Sequence, residues 1–148
     1  MRLWRISNYA DLSGAGGLHF SARWHTKGRE IIYAAEHSAG ALSEFLVHTN
    51  LEDIPASFQL ITIEIDDDPK IENILPHQLP SGWAKNKGIT RTIGNNWLSG
   101  NSSLLLRVPS VIVPDAYNML INPNHADVAK MRLVKSEHVP LDSRLARS

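Results

Sequence analysis

Four side chains of kinds that do chemistry stand at the boundaries of regular elements: Arg23, Tyr33, Glu44 and Ser110. Arg23 falls where an extended segment, Leu18 to Trp24, runs into the turn His25-Thr26-Lys27-Gly28, so its guanidinium projects at a strand end, where a pocket can use it. Tyr33 closes the apolar run Ile31-Ile32-Tyr33. Glu44 lies on a helix expected from about Ser38 to His48, whose buried stripe, Leu42, Phe45 and Leu46, follows i, i+3, i+4 spacing. Glu44 is off that stripe, with Ala41, Val47 and His48 around it. A carboxylate in such half-dry surroundings is either capped by a partner or employed. Ser110 follows Pro109 between two short apolar runs, Leu104 to Val108 and Val111 to Val113; a proline there marks a bulge or an edge and turns the hydroxyl out of the regular pleat.

Other chemistries have little support. Seven histidines include no H-E-x-x-H, and without cysteine there is neither zinc-ligand spacing nor thiolate chemistry. Asp66-Asp67-Asp68 reads as a solvated turn before Pro69, since consecutive carboxylates do not all face one ion. Ser110 lies outside any G-x-S-x-G elbow. The glycine run Ser13 to Gly17 lacks the spacing of a phosphate-binding loop and reads as a hinge or loop.

The elements that must position the four residues are short. Arg2 to Ile6 alternates as a first strand. Leu60 to Asp66 sets Ile61, Ile63 and Ile65 against Thr62, Glu64 and Asp66, the clearest half-buried strand in the chain. Pro76, Pro80, Gly82 and Gly88 make Ile74 to Gly88 irregular, and Thr90 to Leu98 reads as a short helix with Ile93, Trp97 and Leu98 inward. Asn118 to Ile121 and Met131 to Val134 are further strands, Asn122-Pro123-Asn124-His125 is a turn, and the tail from Glu137 reads as an exposed arm. Many short strands with few helices give an α+β domain on a bent or split mixed sheet, with residues 1–148 as one domain.

Fifteen basic and fifteen acidic residues cancel, which argues against a nucleic-acid-binding surface. No apolar run reaches the ~18 residues of a membrane span, and the N-terminus has no signal-like core. Cysteine-free composition fits a reducing compartment, and a cytoplasmic location is expected.

Three ordered blocks, GLHFSARWHTKG, IIYAAEHSAGALSEFLVH and RVPSVIVPDAYNMLINPNH, resemble the RES-domain toxins. The arginine, glutamate and serine of that family's name fall on Arg23, Glu44 and Ser110. The resemblance implies a fold similar to the ADP-ribosyltransferase toxins and an activity that consumes NAD+ as substrate, with no further cofactor. It also implies an Xre-like antitoxin as partner, assembly with more than one toxin copy, and DNA contact only through the antitoxin.

The residue types suit that chemistry. Cleaving the bond between nicotinamide and ribose passes through an oxocarbenium-like centre, which Glu44 can stabilise through a ribose hydroxyl. Arg23 can grip the pyrophosphate as a planar fork, with Lys27 as an accessory. Tyr33 offers a ring face and a hydroxyl, Ser110 a donor to phosphate or to the nicotinamide amide, and Asn118 and Asn122 can shape the pocket. His19 and Trp24 stay structural in this reading, although both could line the mouth. Taken singly these types more often serve structure: Arg23 in a salt bridge, Tyr33 in the core, Glu44 on a solvated helix, Ser110 filling a bulge. A catalytically silent domain of the same fold, acting as a protein-binding module, is the alternative.

Overall fold

Strand β3, Ser57–Ile65, is the spine of the domain in this computed structural model, which describes residues 1–66 and 68–146. Ile61, Ile63 and Ile65 are at most 1 % exposed, so their alternation is a core face, and each contributes roughly 1.5–3 kcal/mol on burial. Thr62, on the opposite face, is buried as well. β3 pairs antiparallel along its whole length with β7, Met131–Pro140, and on its other side with β1, Arg2–Ile6. With β2 (Ile32–Ala35), β4 (Ile71–Asn73), β5 (Leu105–Pro109) and β6 (Tyr117–Ile121) these form a seven-stranded mixed sheet in the order β4-β5-β6-β2-β1-β3-β7. Only the β4–β5 pair is parallel among the described strands. Together with helices α1 (Gly16–His19), α2 (Ser38–Val47) and α3 (Lys87–Gly100), this is the α+β architecture expected.

The sheet is split in the middle. β2 pairs β6 over four residues, and β1 pairs β3 over five, but β1 and β2 share a single registered pair, Trp4 opposite Ala35. One apolar cluster, including Leu3, Ile32, Ala34, Ile63, Leu105 and Met119, runs under both halves. A second, including Trp24, Trp97, Leu106, Val108 and Leu120, packs β5 and β6 against α3. α2 packs on β1 and β2, with Ala41 its buried residue. The expected stripe Leu42, Phe45 and Leu46 is only half-buried.

Several expectations are corrected. Leu18 to Trp24 is not a strand: α1 occupies Gly16–His19, and beyond it the chain makes one isolated bridge, Ala22 with His25. Val111 to Val113 is a turn, because the Ser110 hydroxyl accepts from the Ile112 and Val113 amides and bends the chain away. The segment from Glu137 is no free arm, since Glu137 to Pro140 completes β7 against the first half of β3. β4 escaped sequence reading at three residues long. α3 is longer at both ends, started by Asn86, whose side chain accepts from the Gly88 and Ile89 amides, and stopped by Asn101 in the left-handed region at φ 51. Asp66 is exposed and pairs with Arg132 at 2.5 Å, while Asp67, in the middle of the expected turn, lies outside the described residues.

Candidate active site

A cavity of about 620 Å³ opens where β1 and β2 part, a size ordinary for a small-molecule site. Arg23, Tyr33, Glu44 and Asn118 all line it, brought there from the segment after α1, from β2, from α2 and from β6.

Glu44 is the best-organised group. Its Oε1 accepts from Asn118 Nδ2 at 2.8 Å and from the Ser110 hydroxyl at 3.4 Å. Its Oε2 has His48 Nε2 at 3.8 Å, one helical turn on. Two donors therefore aim one oxygen, and the carboxylate is both held and left with acceptor capacity. Ser110 does not line the cavity itself; its neighbours Pro109 and Val111 do. Its hydroxyl sits behind Glu44, accepting from two loop amides while it donates to the carboxylate.

Arg23 donates from Nη1 to Ala84 O at 2.9 Å and keeps the rest of its fork available. Tyr33 turns its hydroxyl inward, where it accepts from the Trp24 amide at 3.2 Å and lies 2.7 Å from His25 Nδ1. His25 Nε2 is 3.3 Å from Gly17 O, so the proton on Nε2 donates to Gly17 and Nδ1 accepts from Tyr33. Burial pushes the Tyr33 hydroxyl up and the His25 imidazole down, keeping both neutral. Tyr33 thus offers the cavity its ring, while its hydroxyl holds the backbone beside Arg23.

Lys27 is exposed and is not part of the cavity wall. His19 is exposed on α1 and also lies outside the wall, whereas Trp24 lines it and stacks at a tilt on Trp83, ring centroids 6.3 Å apart. Asn122 is buried away from the cavity, donating to Asn101 Oδ1 at 3.0 Å.

Arg5 and Lys87 are the cationic residues that sequence reading missed. Arg5, on β1, lines the cavity half-buried, and its side chain makes one long bond, Nη1 to Asp11 O at 3.5 Å. Desolvation lowers its pKa, with Asp11 opposing the shift. An arginine so placed is short of partners and suits an anionic ligand. The signal available was the alternation of Arg2 to Ile6, which set Arg5 beside Leu3 on an inward face. Among the described residues no cluster of His, Asp or Glu could hold a metal ion.

The RES domain family matches residues 2–142, nearly the whole chain. The chain belongs to the RES family. Among RES relatives it is 45 % identical over 150 residues to "Toxin Res" of Pseudomonas putida, covering 98 % of this chain and 99 % of that one. It is 38 % identical over 154 residues to the "Prs ADP-ribosylating toxin" of a Sphingobium species, covering 97 % and 96 %. A chain from the crystal structure of the M. tuberculosis MbcT-MbcA toxin-antitoxin complex superposes with a TM-score of 0.74 at 16 % identity, over 94 % of this chain and 84 % of that one, a likeness of fold. No helix among the described residues is long and apolar enough to cross a membrane.

Proposed function

We propose that this RES protein is the toxin of a toxin–antitoxin pair and that it consumes NAD+ by cleaving the bond between nicotinamide and ribose. The observation that carries the reading is Glu44, held by Asn118 and Ser110 on the wall of a cavity that Arg23 and Arg5 also line. A carboxylate and two guanidiniums in one cleft match a ligand with a cationic reacting end and a pyrophosphate. The names of the relatives support the same class.

In this mechanism Arg23 and Arg5 hold the pyrophosphate, and the Tyr33 ring packs against the nicotinamide or its ribose. The glycosidic bond breaks with its electron pair going to the nicotinamide nitrogen, which loses its positive charge, so no general acid is needed. Positive charge appears on the ribose. Glu44 accepts from a ribose hydroxyl, and that bond strengthens as the charge grows. A nucleophile then adds to C1′ and gives up its proton; water, phosphate and a protein side chain would yield ADP-ribose, its 1-phosphate or a modified protein.

An enzyme that drains a central cofactor needs external restraint, and an Xre-like antitoxin is the partner proposed, in a cytoplasmic assembly with more than one toxin copy that meets DNA only through the antitoxin. The deciding experiment is incubation of the purified chain with NAD+, with and without phosphate, followed by product identification. Release of nicotinamide is expected. Unchanged NAD+ with well-folded protein would overturn the reading and favour a silent binding module.

A further inference from the structure

The segment that carries Arg23 has almost no ladder of its own, so side chains hold its peptide groups. On α3, Arg91 Nε donates to Ala22 O at 2.8 Å, and the Thr90 hydroxyl donates to the carbonyl oxygen of Arg23 itself. Asn95 Oδ1 accepts from the Thr26 amide at 3.1 Å, and its Nδ2 donates to Thr26 Oγ1 at 3.0 Å. Between them Gly94 lets the helix touch the strap: a Cβ there would stand 1.7 Å from Trp24 O. Thr90 and Gly94 are one turn apart, as are Arg91 and Asn95, so one broad face of α3 meets the backbone from Ala22 to Thr26.

Thr90 is the telling member. It is 0 % exposed, and a helical threonine ordinarily returns its single proton to a carbonyl in the preceding turn. That acceptor, Lys87 O, lies 3.3 Å away, yet Arg23 O is the nearer of the two. The proton therefore goes out of the helix to the backbone of the cationic residue. A hold on a carbonyl fixes the Cα, and from there the Arg23 guanidinium reaches the cavity wall.

We propose that Thr90, with Asn95 as a second hold, is a positioning residue for Arg23: α3 sets where the guanidinium meets the phosphate-bearing part of the substrate. This rests on the reading of the cavity as an NAD+ site. The pyrophosphate that Arg23 holds in this reading keeps its charge while the glycosidic bond breaks, so its hold is alike in ground and transition states, and misplacing Arg23 raises KM and spares kcat.

The test compares the full chain with Thr90→Val, which keeps the shape and loses the hydroxyl, and Thr90→Ser, which restores it. Thr90→Val should raise KM for NAD+ by about tenfold, the size of one lost hydrogen bond, with kcat within about twofold. Thr90→Ser should return KM to the parent value. In an Arg23→Ala background there is no guanidinium to place, so Thr90→Val should cost nothing further in kcat/KM; an additive loss would mean that Thr90 merely supports the fold and would overturn the proposal. An unchanged KM would do the same. Should Thr90→Val not fold, Asn95→Ala carries the same readouts. A wild-type chain that leaves NAD+ intact counts against the function, and the Arg23 Nε–H resonance then decides positioning: it should move in Thr90→Val and return in Thr90→Ser, and an unmoved resonance refutes the hold.

Discussion

Replacing Glu44 by glutamine removes one charge and almost nothing else. Oε1 can still accept from Asn118 at 2.8 Å and Ser110 at 3.4 Å, so the side chain stays where it is. The loss falls on the other terminal atom, where Oε2 now has only His48 at 3.8 Å and an amide NH2 would present donors in place of an acceptor. Two unit charges about 4 Å apart at an effective dielectric of about 20 interact by about 4 kcal/mol, and half-developed charge on the sugar by about 2. At 1.36 kcal/mol per decade this brackets the loss at about 30- to 1000-fold, centred on the order of 10²-fold in rate. Nicotinamide release followed by chromatography measures it, and a melting curve superimposable on the parent's shows that the fold was spared. A Glu44→Gln enzyme within a factor of two of the parent refutes the argument that this carboxylate stabilises the cation.

Arg23→Lys replaces a bidentate fork by a point charge and should mainly raise KM; a sharp fall in kcat at constant KM would move Arg23 to the reacting centre. His25 is buried and its folded pKa lies below the unfolded value of about 6.5, so in the window just below 6.5 the unfolded chain binds the extra proton. Stability should therefore decline as pH falls from 7.5 to 5.5 in urea titrations, and a His25→Phe chain, if it folds, should lose that part of the slope; a flat wild-type profile contradicts the buried neutral assignment. The antitoxin should enter the Arg23/Glu44 cleft with an acid on Arg23, as a phosphate mimic. A non-hydrolysable NAD+ analogue should then weaken the complex, and equal affinity at saturating analogue would place the partner elsewhere.

What could be read from the sequence was whatever one element decides by itself. Ile61, Ile63 and Ile65 specify β3 through local alternation, and the helix at Ser38–Val47 was legible too, although its buried residue is Ala41, one turn before Glu44, and not the stripe expected. The segment from Leu18 to Trp24 misled because Leu18 and His19 belong to α1, and the carbonyls of Ala22 and Arg23 are satisfied by α3 side chains, a long-range solution with no local period. β7 was truncated because Lys135, Ser136 and Glu137 interrupt its apolar run; these are residues suited to an exposed edge, and a register shift at Thr62/Ile63 accompanies them. Lys27, close to Arg23 in sequence, was the accessory cation the sequence offered, whereas Arg5 reaches the cavity through a gap between β1 and β2 that no stretch of sequence encodes.

That gap has a consequence for how the wall can be interrogated. Beyond Trp4 and Ala35 the amides and carbonyls of β1 and β2 have no ladder partners across the opening. A ligand lying there meets peptide groups as well as side chains. Every amino acid except proline supplies the same peptide N–H and C=O, so an alanine scan leaves that part of the recognition untouched. Its contribution would become visible to a chemistry that edits the main chain, such as replacing a single amide by an ester.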